Sequence, residues 1–292
     1  DGAAELVLGA QKEGSFRLFV RNVEGKWVER TGNANPVDFL AALASPAVAF
    51  YDVDGDGHDD VVVGDWYARM HVYLSHSTTQ SAVWSSRTDA ANPFSALSDL
   101  PDENAYPTFA DLNGDGTPDL IVAGKSGSLR AYWRFEAAAE VKAVGGLGYE
   151  WRRASEFSSP ANASSLVVIP KPLWNSARAV DDALASVEAA LAVAIPTVSD
   201  RNFMSVAFGD LDGDGDLDLV VGFAKHLLFF ENLGTVTAPT WSQMSAGDPR
   251  IADVRTKADT SDYSMKSVMF APDGALFVRP GVDGAIVAHR FV

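Results

Sequence analysis

The sequence contains no cysteine, which excludes disulfide bonds and every function that depends on a thiol. It also lacks a run of about 18 consecutive apolar residues, so it predicts no direct insertion into a membrane. Basic residues are in the minority, because 23 Lys and Arg stand against 39 Asp and Glu and the net charge is -16. Nucleic acids are bound through clustered Lys and Arg, and this balance therefore argues against a nucleic-acid partner.

Catalytic signatures are equally scarce. The five histidines form no HExxH pair, and the chain has no GxSxG elbow. Paired carboxylates of the kind that glycosidases use are present, but carboxylates tied to a cation are poor proton donors. We therefore expect no catalytic residues, no organic cofactor and no enzyme activity.

Three short acidic segments dominate what is present, each written from its first loop position: DVDGDGHDDV, DLNGDGTPDL and DLDGDGDLDL. Each carries oxygen-bearing side chains at alternate positions and a glycine at the sixth position. Calcium takes six to eight oxygen ligands, and glycine at the sixth position permits the sharp turn that wraps a loop around the ion. The seventh position would contribute its backbone carbonyl. The candidate metal ligands are Asp52, Asp54, Asp56, His58 and Asp60 in the first loop, Asp111, Asn113, Asp115, Thr117 and Asp119 in the second, and Asp210, Asp212, Asp214, Asp216 and Asp218 in the third.

The alternative interpretation is an acidic turn that binds no ion, because Asp and Gly are ordinary turn residues. Three repetitions of one ligand spacing favour metal, since clustered carboxylates without a counterion repel one another. An EF-hand is excluded because its twelfth position needs Glu, whereas these loops have Val63, Val122 and Val221 there. Each loop leads into a β-branched, apolar run, so the sequence predicts calcium in three strand-to-strand turns.

The acidic loops belong to a longer repeat of roughly 55 to 62 residues, a length typical of one propeller blade with long loops. Each valine-rich run is followed by a second alternating strand, and this pair occurs five times. The sequence predicts an all-β fold, a β-propeller of about five four-stranded antiparallel blades in a single domain over 1–292. The predicted repeats are roughly 1–40, 41–98, 99–157, 203–250 and 251–292, with a helical insertion over roughly 158–202.

The two terminal repeats are incomplete. The first lacks its first strand, and the last ends after its third strand and keeps only Asp273 of the acidic loop. We expect no metal at either. The ring would then close by sharing strands between the termini, or the chain is part of a longer protein. Because the chain begins at Asp1 without an initiator Met, we expect a mature or trimmed product.

One amphipathic helix is predicted inside the insertion, over 175–195. Asn175 or Ser176 is the candidate N-cap, and Pro196 is the candidate stop. The helix is interpreted either as a cover on the propeller rim or as a partner-binding element, and a degenerate sixth blade around 165–170 is a further alternative. The apolar positions at helical spacing are Val180, Leu184, Val187, Leu191 and Ile195.

Aromatic residues offer a second kind of site. Trp66 and Tyr67 follow the strand of the first acidic loop and are the strongest candidates for a sugar-stacking platform. Trp27 and Trp84 occupy equivalent positions in consecutive repeats, which favours a role as core spacers.

The segments VAFYDVDGDGHDDVVVG, PTFADLNGDGTPDLIVAG and SVAFGDLDGDGDLDLVVG resemble FG-GAP repeats. These repeats build the β-propeller of integrin α subunits and of many secreted or cell-surface proteins. The resemblance covers most of the chain except roughly 155–202. It implies that each acidic loop lies between the first and second strands of a blade and binds calcium, about three ions in all. Integrin propellers have seven blades, whereas five repeats are visible here.

The resemblance also implies a function. It favours a non-enzymatic recognition or adhesion module for a protein or glycan ligand, located outside the cell or in a secretory lumen. The alternative is a structural subunit that is docked permanently in a larger protein assembly.

Overall fold

In the computed structural model, short antiparallel strands are the main regular elements of the chain. Within the described residues, eighteen strands form five sheets, accompanied by two α-helices and one short 3-10 helix. The predicted all-β class with four-stranded antiparallel sheets is confirmed. The structure describes residues 5–9, 16–38, 43, 47–76, 83–88, 91–97, 99–101, 103–136, 149–153, 171–194, 204–223, 226–258, 266–270, 274–280 and 287–289. The segments around 165–170, Ile195, Pro196 and Asp273 lie outside these residues.

Three sheets have four strands, and each joins consecutive strands in order. The second sheet consists of β4 (Ala47–Tyr51), β5 (Asp60–Gly64), β6 (Met70–Ser75) and β7 (Trp84–Arg87). The third consists of β8 (Tyr106–Ala110), β9 (Asp119–Ala123), β10 (Leu129–Glu136) and β11 (Tyr149–Arg152). The fourth consists of β12 (Met204–Gly209), β13 (Asp218–Phe223), β14 (His226–Asn232) and β15 (Trp241–Gln243).

The first and fifth sheets have three strands each in the described part of the chain, as the sequence predicts for the terminal repeats. The first consists of β1 (Glu5–Gly9), β2 (Phe16–Arg21) and β3 (Trp27–Arg30), followed by a short 3-10 helix (Gly32–Ala34). The fifth consists of β16 (Lys266–Phe270), β17 (Leu276–Pro280) and β18 (Val287–His289).

Consecutive sheets pack face to face, and the valine-rich second strands explain why. On β5, Val62 belongs to the core shared with the third sheet, whereas Val61 and Val63 belong to the core shared with the first sheet. Alternate side chains of a strand point to opposite faces, so a continuous apolar run supplies two cores at once. The fourth and fifth sheets share a further core that includes Val220 and Leu276.

The first and fifth sheets also lie beside each other. The ring centroids of Trp27 on β3 and Phe277 on β17 are 6.0 Å apart in an edge-to-face arrangement. The two sheets contact each other through these side chains, and no ladder of hydrogen bonds joins them in the described residues. Segments at opposite ends of the sequence therefore meet in space, and Trp27 serves as a packing residue.

The predicted amphipathic helix is present as α1 (Lys171–Ala194). It begins earlier than the sequence predicts, so Asn175 and Ser176 lie inside it and the N-cap prediction is wrong. Pro172 explains the earlier start, because proline fits the first turn of a helix. The buried positions Val180, Leu184, Val187 and Leu191 join the core between the third and fourth sheets.

This packing supports the interpretation of α1 as a cover. The helix lies against β10 and β15, so its apolar face is used within the chain. At its exposed end, Val193 retains 82% of its accessible surface. Among the described residues, no helix is both long enough and apolar enough to span a membrane.

The sequence does not predict the second helix, α2 (Pro249–Ala258). The sequence does contain a helix-start pattern, because Asp248 precedes Pro249. In the structure, the Asp248 side chain accepts a hydrogen bond from the N–H of Arg250 at 2.9 Å. An acidic N-cap followed by proline is a typical helix start. The helix has only ten residues and buries Ile251 and Val254 between the fourth and fifth sheets. Two apolar positions are too few to reveal helical periodicity.

Candidate metal loops and an aromatic turn surface

The three acidic loops occupy equivalent places in three consecutive sheets. They join β4 to β5, β8 to β9 and β12 to β13, which are the first and second strands of each four-stranded sheet. This is the position that the FG-GAP resemblance implies. The ninth loop position is also the first residue of the second strand, and it is Asp60, Asp119 or Asp218.

The sixth position of each loop requires glycine. Gly57, Gly116 and Gly215 have φ values of 87°, 82° and 92°, in the left-handed region that other residues rarely adopt. The first-position carboxylate accepts a hydrogen bond from this glycine N–H in every loop, at 2.9, 2.8 and 3.1 Å respectively. The backbone therefore wraps around the first aspartate in the same way three times.

The ninth-position aspartate holds each loop closed from inside the protein. Asp60 accepts hydrogen bonds from the N–H groups of Val53 at 2.8 Å and Ser75 at 2.7 Å. Asp218 accepts the equivalent bonds from Leu211 and Asn232, both at 2.7 Å. These two carboxylates are almost completely buried, so each one ties the loop start to the end of the third strand.

Burial changes the acidity of these aspartates. It raises the pKa of Asp60 and of Asp218 to about 6, although the backbone N–H donors oppose the shift. It raises the pKa of Asp119 to about 9, where one backbone donor, the N–H of Leu112, opposes it. Neighbouring loop carboxylates add to the increase in all three cases. The loops therefore favour either a proton or another cation at this position.

The structure brings the first, third and ninth positions together in two of the loops. Carboxylate oxygens of Asp52, Asp54 and Asp60 all lie within 4.8 Å of one another, as do those of Asp210, Asp212 and Asp218. In the second loop the third position is Asn113, and its amide donates a hydrogen bond to Asp115 at 3.1 Å. The second loop therefore presents one carboxylate fewer at the centre.

The remaining predicted ligands lie at the edge of these clusters. The fifth-position residues Asp56, Asp115 and Asp214 accept hydrogen bonds from the seventh-position N–H groups at 2.9, 2.8 and 3.0 Å. The seventh-position residues of the first two loops are His58, which is exposed, and Thr117. The assignment of these fifteen residues as metal ligands, the seventh position through its backbone carbonyl, stays a prediction.

Asp216 provides a test of whether a cation fits the third loop. Its side chain is 6% exposed, and its Oδ1 atom has no hydrogen-bond partner among the described residues. Burial and the carboxylates of Asp214, Asp212 and Asp210 raise its pKa. A buried carboxylate oxygen without a donor, beside several others, fits a hard cation such as calcium. The sequence analysis predicts that this position binds the ion only through its backbone carbonyl, so the Asp216 side chain is an additional candidate ligand.

We expect the stability of the metal-free protein to fall as pH rises from about 4 to about 9. Asp60 and Asp218 have pKa values raised from 3.8 to about 6, and Asp119 has a pKa raised to about 9. The stabilising contribution of a raised pKa is complete below the unfolded value and is lost as pH rises through the folded value. A tenfold difference between the folded and unfolded acid dissociation constants corresponds to about 1.4 kcal/mol of stability.

Urea unfolding in EDTA across this pH range measures the effect. The same series in calcium is the control, because a bound cation favours the ionised carboxylates and opposes the loss. Metal-free stability that increases throughout the range would contradict the prediction.

The opposite ends of the same strands carry the aromatic pair that the sequence singles out. Trp66 and Tyr67 lie in the turn between β5 and β6, and Tyr67 keeps 65% of its surface exposed. The Arg69 guanidinium lies 4.9 Å from the centre of the Tyr67 ring and is paired with buried Asp65 at 2.7 Å. By contrast, Trp84 packs against the core of the first and second sheets.

The neighbouring sheet extends this surface. Lys125, in the turn between β9 and β10, lies 4.9 Å from the centre of the Trp66 ring and pairs with Glu103 at 2.5 Å. The N–H of Asn104 donates to the Trp66 carbonyl at 3.1 Å, which joins the two sheets here. We call Asp65–Arg69, Glu103, Asn104 and Lys125 the turn surface. Its two cations are balanced by two carboxylates.

Comparison with known protein families gives two matches. A model described as an FG-GAP-like repeat matches residues 52–122, which contain the first two acidic loops. A model described as an FG-GAP repeat matches residues 202–226, which contain the third. A search of curated proteins finds no match to the sequence.

Among solved structures, the chain is similar to a lectin from Agrocybe aegerita, described by its specific recognition of non-reducing terminal N-acetylglucosamine. The two sequences are 12% identical, and the TM-score is 0.32. The match covers 99% of this chain and 66% of the lectin chain.

Proposed function

Because residues 52–122 and 202–226 match models of FG-GAP repeats, we propose that the chain is a calcium-binding recognition module built from such repeats and that it catalyses no reaction. The observation that carries the proposal is the arrangement of the three loops. Each loop wraps a first-position aspartate with the same backbone hydrogen bonds and is closed by a buried aspartate at the ninth position. The turn surface at the other ends of the strands is then available to a ligand.

Calcium has a structural role in this proposal. Oxygen atoms of the aspartates at positions one, three, five and nine would hold the ions, with Asn113 at the third position of the second loop. When bound, the ions neutralise carboxylates that otherwise repel one another at the end of each sheet. The free energy of binding then becomes free energy of folding, because the unfolded chain has no preformed site.

The turn surface is the proposed contact for a protein or glycan ligand. Tyr67 offers an exposed aromatic ring, and aromatic side chains are typical anchors of recognition sites. Asp65 holds Arg69 through a side-chain hydrogen bond at 2.8 Å, so the polar rim around the ring is fixed. Because the charges on this surface balance, we expect a neutral, polar ligand with an apolar face.

We place the module outside the cell or in a secretory lumen, acting in recognition or adhesion, since FG-GAP repeats are typical of extracellular proteins. The alternative is a structural subunit docked permanently in a larger protein assembly, and docking through its helix has less support. The apolar face of α1 is already buried against the third and fourth sheets.

The proposed recognition role is tested with an array of neutral and charged glycans and with immobilised cell-surface proteins. We expect the wild-type protein in calcium to bind at least one of these ligands and Tyr67→Ala to weaken that binding by on the order of tenfold. Phe50→Ala is the matched control, because Phe50 is an exposed aromatic residue on β4, outside the turn surface. Binding that survives Tyr67→Ala unchanged would exclude this surface, and a wild-type protein that binds no ligand would contradict the recognition role.

A further inference from the structure

Arg250, in the first turn of α2, reaches from the connection between the fourth and fifth sheets toward the third acidic loop. Its guanidinium donates two parallel hydrogen bonds to Glu231 on β14, at 2.8 and 2.9 Å. It also donates to Asp248 at 2.9 and 3.1 Å. These four bonds fix the position of the cation, and its Nη1 atom lies 3.9 Å from Oδ2 of Asp212, the third-position residue of the loop.

Among the residues that the structure describes, the first loop has no equivalent of this fixed guanidinium. The N–H of Asn232 bonds Asp218 in the same way that the N–H of Ser75 bonds Asp60, so Glu231 is the counterpart of Leu74. Leu74 is a completely buried apolar residue. Within the described part of the chain, no Lys or Arg is ion-paired with a carboxylate of the first loop.

The third loop also has more carboxylates at the alternate, candidate-ligand positions than the other two, although the first loop has as many aspartates in total because of Asp59. All five of its alternate positions are aspartates, whereas the first loop has His58 and the second has Asn113 and Thr117. Charge count alone would make the third loop the strongest site, because calcium affinity is tuned by the number of charged ligands. A fixed guanidinium beside Asp212 acts in the opposite direction, since like charges repel at this range. Glu231 and Asp248 pair with this guanidinium, so it offsets part of the negative charge of the cluster, and its removal would leave Asp212 near two carboxylates that have lost their partner.

We propose that Arg250 is an affinity-determining residue of the third calcium site, where its fixed positive charge competes with the ion for Asp212 and weakens binding. The inference rests on the proposed calcium binding. Arg250 is not a ligand; it acts through the carboxylate that it faces. The effect is reciprocal, so an ion in the third loop reduces the attraction between Asp212 and the start of α2.

The test is hydrogen–deuterium exchange of the full chain, titrated with calcium and read separately for peptides that contain each loop. The calcium concentration that gives half-maximal protection of 210–218 reports on the third site, and that of 52–60 is an internal reference. Arg250→Gln removes the positive charge. Arg250→Lys keeps the charge but cannot make the two parallel hydrogen bonds to Glu231. Arg17→Gln is the matched control, because Arg17 makes a similar two-bond pair with Glu29, both at 2.7 Å, in the first sheet.

For Arg250→Gln we expect the midpoint of the third loop to fall by on the order of tenfold, with that of the first loop unchanged. Arg250→Lys and Arg17→Gln should leave the third-loop midpoint within about twofold of wild type, because both keep the positive charge beside Asp212. An unchanged or higher midpoint in Arg250→Gln would overturn the inference. If no loop of the wild-type protein is protected by calcium, the proposed calcium binding fails as well, which distinguishes the two failures.

Discussion

Adding calcium to the metal-free protein is expected to raise its melting temperature by about 10 to 20 °C. An ion at about 100 times its dissociation constant stabilises a folded protein by about 3 kcal/mol per site, and each kcal/mol shifts the melting temperature of a chain of this size by about 2 °C or more. In the proposed function, the three loops with the same backbone arrangement would supply three such sites. Without an ion, the clustered carboxylates must be protonated or must repel one another.

Calorimetric titration of the EDTA-treated protein, followed by melting curves with and without calcium, measures this effect. We expect about three bound ions. Magnesium is the control, because its smaller shell demands near-ideal octahedral geometry and it gives up water reluctantly. If calcium neither binds nor raises the melting temperature, the loops are not metal sites, and their carboxylates become the candidate contact surface for a basic partner.

The second large effect is expected from Asp218→Ala, which should destabilise the protein by about 3 to 5 kcal/mol in EDTA, and by more in calcium because the third site is lost as well. The substitution leaves the buried N–H groups of Leu211 and Asn232 without an acceptor. An unpaired buried donor costs about 1 to 3 kcal/mol, and the two losses occur at one site. Urea unfolding at fixed pH, with and without calcium, measures the change.

Asp214→Ala is the matched comparison in the same loop. Asp214 is exposed and accepts a hydrogen bond from the N–H of Asp216 within the loop, at 3.0 Å. We expect it to abolish the third site and to lower stability in calcium, with a smaller change in EDTA. Equal losses in both conditions would contradict a structural calcium ion at this loop.

The architecture followed from local features of the sequence. A run such as Val61–Val63 is apolar at every position, and only a strand buried on both faces accommodates it, which predicted the packed sheets. The spacing of aspartate and glycine predicted the turns between the first and second strands, because hydrogen bonds such as that from Gly57 to Asp52 span only five residues. Such short-range patterns are largely independent of the rest of the fold.

Helix boundaries were less predictable. Five apolar positions at helical spacing predicted α1, but its start lies at Lys171, because Pro172 fits the first helical turn. The short helix α2 was missed, since Ile251 and Val254 become core residues only where the fourth and fifth sheets meet. Local propensity is a weak signal when a helix is held mainly by tertiary packing.

The sequence by itself therefore determined the repeated strands, the three acidic loops, their candidate ligands and the general course of α1. Tertiary structure alone decided which groups meet across sheets: the exposed side of Tyr67, the contact of Trp27 with Phe277, and the approach of Arg250 to Asp212. The physical reason is the sequence separation between the interacting groups. Turn hydrogen bonds and apolar periodicity act over a few residues, whereas an ion pair or ring contact between distant segments depends on how whole sheets pack.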